Sequence, residues 1–142
     1  MSLRQEILDL AELHGGKPRS GVDDGDVLGS FDLDGDNATD FLEAFCERFN
    51  TDLSTMQWEY HFEASEPPPS YRKELPIAKD GSVIPFHPIT LDDLEKAARS
   101  GRWEYEYPDY DTKIFWLYRP WIWITLFVAV FGGLNTFLFL AE

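Results

Sequence analysis

FDLDGDNATDFLEAFCERF, residues 31 to 49, sets the reading of the chain, because its apolar and acidic residues fall into two interleaved rows. Ala38, Phe41, Leu42, Phe45 and Phe49 recur at steps of three and four, which predicts a helix with one apolar face. Asp36 or Asn37 opens it, since either side chain accepts the free amide hydrogens of a first turn. Asp36, Asp40, Glu43 and Glu47 follow at spacings of 4, 3 and 4, so they form a second row made only of acids. Like charges at that spacing repel, and acids near the N-terminus recover part of the cost through the helix dipole. A row of one sign serves solubility less well than mixed charge, so we read these four residues as a docking face.

The same run also fits a calcium loop in part. Asp32, Asp34, Asp36, Asp40 and Glu43 stand at positions 1, 3, 5, 9 and 12 of the EF-hand pattern. Position 6, where glycine permits the turn, is Asn37, and position 8 is Thr39 rather than an apolar residue. The alternative expectation is therefore a Ca²⁺-binding regulatory protein using residues 32–43.

Outward from this run, Ser2 caps a first helix with Gln5 three residues on, and Leu3, Ile7, Leu10 and Leu13 repeat at helical spacing up to Gly15 and Gly16. Residues 15–33 read as a long loop pinned by Val22, Val27, Leu28, Phe31 and Leu33. Met56, Trp58, Tyr60 and Phe62 alternate with polar residues, as a short strand or an irregular aromatic wedge. ELPIAKDGSVIPF, residues 74 to 86, predicts a β-hairpin turning at Asp80 and Gly81. Thr90 with Asp93 caps a last helix whose Leu91, Leu94, Ala97 and Ala98 face inward before Gly101.

Residues 121–141, WIWITLFVAVFGGLNTFLFLA, carry no formal charge and would span about 31 Å as a helix, the thickness of a bilayer core. Trp116, Tyr118, Trp121 and Trp123 resemble an interfacial belt, and Lys113 and Arg119 flank only the N-terminal side. The expectation is a tail-anchored, single-pass protein of the bacterial inner membrane with its N-terminal domain in the cytoplasm. Ala129, Gly132, Gly133 and Asn135 would offer a small-residue surface for helix packing. No apolar leader follows Met1.

The chain holds 12 Lys and Arg against 26 Asp and Glu; before Pro120 the balance is 12 against 25, a net of −13. That field repels nucleic-acid phosphates and favours the basic surface of a protein partner, expected here to be membrane-bound. Cys46 is the only cysteine, so no intrachain disulfide forms. His14, His61 and His87 show no paired metal spacing, and neither a phosphate loop nor a nucleophile motif is present. We therefore expect no enzyme, no catalytic residue, no cofactor and no metal.

The helix at residues 36–49 resembles the second helix of acyl carrier proteins: Glu47, Phe49, Asn50 and Leu53 fit its exit, and Phe41 and Phe45 its apolar positions. An ungapped alignment sets Asp34, Gly35 and Asp36 on the carrier's Asp-Ser-Leu motif, so Gly35 stands where the phosphopantetheine serine belongs. The chain looks more like a bacterial family of unknown function marked by the Asp-Gly-Asp helix start and by Ile89, Thr90, Asp93, Leu94, Gly101 and Trp103. The resemblance implies a mainly α fold: a small acyl-carrier-like helical bundle over residues 1–107, with residues 63–88 as a hairpin-bearing insertion. A juxtamembrane linker, 108–120, and a transmembrane helix, 121–141, would follow. The function implied is a membrane-anchored, non-enzymatic interaction module, an accessory subunit of a membrane protein complex.

Overall fold

The computed structural model describes residues 1–62, 64–65 and 72–116. Helix α1 (Leu3–Gly15) starts as its sequence predicts, with the Ser2 side chain accepting from the Gln5 amide. Ile7, Leu10 and Ala11 enter the core, while Leu13 is 78% exposed and does not belong to the inward row. At its other end Gly15 meets Phe31 so closely that a Cβ there would overlap the Phe31 carbonyl oxygen. The 15–33 stretch is less irregular than expected, because Val27–Ser30 forms a single turn, α2, capped by Asp26. That turn is held from outside itself, as the Val27 amide donates to the Ile89 carbonyl at 3.2 Å. Val22 is exposed, whereas Val27, Leu28, Phe31 and Leu33 are buried.

Helix α3 (Gly35–Phe49) buries Ala38, Phe41, Leu42 and Phe45 as its periodicity requires, and ends at Asn50 in the left-handed conformation. Its N-cap position is Asp34, two or three residues before the expected caps, and no side chain caps it. The aromatic wedge is a one-turn helix, α4 (Trp58–His61), with Tyr60 and His61 buried. Helix α5 (Leu91–Ser100) has the full capping box between Thr90 and Asp93 and stops at Gly101. Arg4 of α1 donates to Asp24, Asp92 and Glu95, which joins α1, the loop between α1 and α2, and α5, and raises the proton affinity of its guanidinium.

The expected mainly α carrier bundle is corrected to a mixed α/β fold. Strands β1 (Ala64–Ser65), β2 (Arg72–Ile77) and β3 (Asp111–Trp116) form an antiparallel sheet in the order β1-β2-β3. The Asp80–Gly81 turn exists, with Ala78 donating to Ser82 and Ile84 to Pro76, but its return arm makes only the Ile77–Val83 bridge. β2 pairs instead along its whole length with β3, inside the segment expected to be a linker. Thr112, Ile114 and Phe115 suit a pleated strand, and pairing with a partner so distant in sequence is what local pattern reading cannot register.

The expected membrane placement is also corrected. Among the described residues no helix is long and apolar enough to cross a membrane. The longest of them, α3, has 15 residues and a charged face, about 22 Å at 1.5 Å per residue against a hydrocarbon core of about 30 Å. The stretch 121–141, with its packing residues Ala129, Gly132, Gly133 and Asn135, lies outside the described residues.

Candidate functional site

The acidic row of α3 is a direct consequence of where its apolar row goes. With Phe41 and Phe45 fully buried against α1 and its neighbours, the 100° step of the helix turns Asp36, Asp40, Glu43 and Glu47 to solvent, and all four are exposed. Among the described residues none of the four takes part in an ion pair. Several basic side chains are engaged elsewhere: Arg48, on the same helix, reaches Glu6 of α1, while Arg99 and Arg102 hold Glu95 and Glu104. These contacts hold the Glu95 and Glu104 carboxyls below their usual range, through hydrogen bonds from Arg99 and Arg102 respectively. The row on α3 therefore faces water without a paired cation among the described residues.

The calcium ligand set is not brought together. An EF-hand wraps its loop around the ion before its second helix begins, whereas here α3 already starts at Gly35, three residues after Asp32. From Asp36 to Glu43 the helix rises about 10 Å, so carboxylates along it do not converge on one ion with bonds of about 2.3–2.6 Å. Among the described residues no group of three or more His, Cys, Asp and Glu side chains is gathered as a metal site requires.

Gly35 adopts φ +48°, a conformation that L side chains rarely take, and nothing lies within 4 Å of the place its Cβ would occupy. The position aligned with the carrier serine is thus a left-handed entry into α3. Gly35→Ser is expected to lower stability by about 1 kcal/mol through backbone strain alone. Urea unfolding checks this, and an unchanged midpoint would remove the backbone requirement.

A second constellation escaped the sequence reading. His61 is 6% exposed and sits among the rings of Tyr60, Trp103, Tyr105 and Tyr107, with centroids 5.1 to 5.7 Å away. Its Nδ1 lies 2.8 Å from the His87 carbonyl, and because a carbonyl can only accept, Nδ1 carries the hydrogen. Nε2 then accepts from the Tyr107 hydroxyl at 2.9 Å. The same hydroxyl oxygen accepts from Trp103 Nε1 at 2.8 Å and from the Gln57 amide at 3.1 Å. The chain of bonds is saturated only when His61 is neutral, which agrees with a pKa lowered chiefly by burial. Burial likewise raises the proton affinity of Tyr105, Tyr107 and Tyr110, with the Glu59 carboxylate adding to the effect at Tyr110. The signal in the sequence was the matching alternation of Tyr60, Phe62 and Trp103, Tyr105, Tyr107.

Residues 3–106 match the family described as Protein of unknown function (DUF1493), and the chain belongs to that family. No curated protein and no solved structure matches the chain.

Proposed function

We propose that this DUF1493 protein is a non-enzymatic interaction module that presents Asp36, Asp40, Glu43 and Glu47 of α3 to the basic surface of a protein partner, as an accessory component of a larger complex. The observation that carries the reading is one helix face of four exposed carboxylates without internal cations among the described residues, while Arg4, Arg48, Arg99 and Arg102 pair with other acids. Such a face steers association and fixes orientation more than it adds affinity. From the carrier resemblance the proposal keeps an acidic helix read by charge. It leaves out the covalent arm, because Gly35 offers no hydroxyl.

A fluorescein-labelled lysine-rich peptide, followed by anisotropy against the full chain, tests the claim. Asp40→Lys with Glu43→Lys is expected to weaken binding at least tenfold and to flatten its dependence on salt. The control reverses two exposed carboxylates outside α3, Glu106→Lys with Asp111→Lys, and so changes net charge equally. Equal weakening by the control would mean that net charge alone attracts the peptide, and the docking face would be abandoned.

A further inference from the structure

At the α2 corner Leu28, Leu33, Phe62, Phe86, Pro88 and Ile89 line an apolar groove of about 290 Å³. Asp26 and Gly29 belong both to this groove and to an adjoining cleft of about 410 Å³, in which Asp23, Asp26 and Asp32 face the single cation Arg19. Three carboxylates against one guanidinium leave the cleft negative. Leu33 of the groove and Asp32 of the cleft stand immediately before α3, whose first residues lead into the acidic row.

At about 290 Å³ the groove lies at the small end of ligand-sized sites and has room for one large side chain. Phe62, Phe86 and His61 supply ring walls, which favour an aromatic occupant. An apolar pocket beside a charged surface is the arrangement in which one buried aromatic anchor dominates a protein interface. We infer that the partner is a basic segment that seats an aromatic side chain in the Phe62–Phe86 groove, with an adjacent lysine or arginine over the Asp23–Asp26–Asp32 cleft. This rests on the docking reading above and adds the partner's chemistry to it.

The test compares two fluorescein-labelled nonapeptides, each with four lysines, one with tryptophan at its centre and one with alanine. The tryptophan peptide is expected to bind the full chain at least tenfold more tightly. It should also shift the amide resonances of Gly29, Leu33 and Ile89, which the alanine twin leaves in place. Phe86→Ala should erase the tenfold preference without weakening the alanine peptide. Equal affinities for the two peptides, or a preference unchanged by Phe86→Ala, overturns the inference; the resonance shifts keep the test decisive should that variant fold poorly. Asp40→Lys with Glu43→Lys should weaken both peptides alike and leave the preference intact. No weakening there sinks the docking reading, while loss of the tryptophan preference alone sinks only the groove.

Discussion

Phe45→Ala is expected to cost about 3–5 kcal/mol of unfolding free energy, the range found when a fully buried aromatic ring is removed. Phe45 has no exposed surface and stands between Phe41 and Phe49, with ring centroids 6.3 and 5.0 Å away. Removing it strips the middle ring from the row that fastens α3 to the core. The cavity cannot close cheaply, because Phe41, Leu42 and Ile7 beside it are themselves buried and interlocked. Small domains hold only about 5–15 kcal/mol in total, so this one change removes a large share. Phe45→Leu, which keeps most of the volume, should cost far less, about 1 kcal/mol. Urea midpoints at constant slope measure both. A loss under 1 kcal/mol for the alanine variant would show that α3 is not anchored by its aromatic row, and the orientation of its acidic face would lose its physical basis.

The three long helices were legible because α1 and α5 carry their own punctuation and α3 a strong apolar period. Ser2 with the Gln5 amide, Thr90 with Asp93, and Gly101 act within one turn of chain, and the apolar steps of α3 and α5 need no distant partner. Leu13 misled for the converse reason: its spacing fitted the inward row, but nothing packs over the end of α1 at that position. Helix α2 stayed hidden because four residues are too few for a period, and its turn depends on the Asp26 cap and the Ile89 carbonyl. Strand β3 stayed hidden because its register is set by residues 72–77 and because Ile114 and Phe115, 46% and 37% exposed, read as an approach to the apolar tail. Of the candidate site, the charges of α3 were visible in the sequence, as was the absence of a hydroxyl at Gly35. The left-handed backbone at Gly35 and the convergence of His61, Trp103 and Tyr107 belong to tertiary structure. Two segments far apart in the chain supply that cluster, so no local rule joins them.

Tyr107→Phe is expected to lower stability by about 2–3 kcal/mol, although it removes one oxygen atom. That oxygen receives the Trp103 Nε1 and Gln57 hydrogens and gives its own to His61. Trp103 and His61 are buried and would be left with unpaired groups, at about 1–3 kcal/mol each, whereas the exposed Gln57 amide can turn to water. The same network predicts a pH dependence. Because burial lowers the pKa of His61 in the fold, the unfolded chain takes up its proton first as pH falls below about 6.5. The stability that His61 contributes is therefore fully present above about pH 6.5 and is lost as pH falls through the lower, folded value. Asp93 of α5, Glu59 of α4 and His87 are the charged and titratable groups that act on it. The hydrogen bond to the His87 carbonyl and the two acids favour the protonated ring, the His87 side chain opposes it, and burial outweighs the favourable contributions. Carboxyls held low by hydrogen bonds, Asp52, Asp80, Glu95 and Glu104, release their contributions at lower pH, clear of the window from 7.5 to 5.5. Across that window the urea midpoint of the natural chain should fall, and His61→Gln should flatten the slope while lowering the midpoint at pH 7.5. An equal slope in both proteins would mean that His61 is not held neutral, and the direction of hydrogen bonding assigned to Tyr107 would have to be reversed. With a second donor at Nε2, the Tyr107 oxygen would face three N–H groups and its own hydrogen would have no acceptor in the network, so the neutral ring is the state this fold selects.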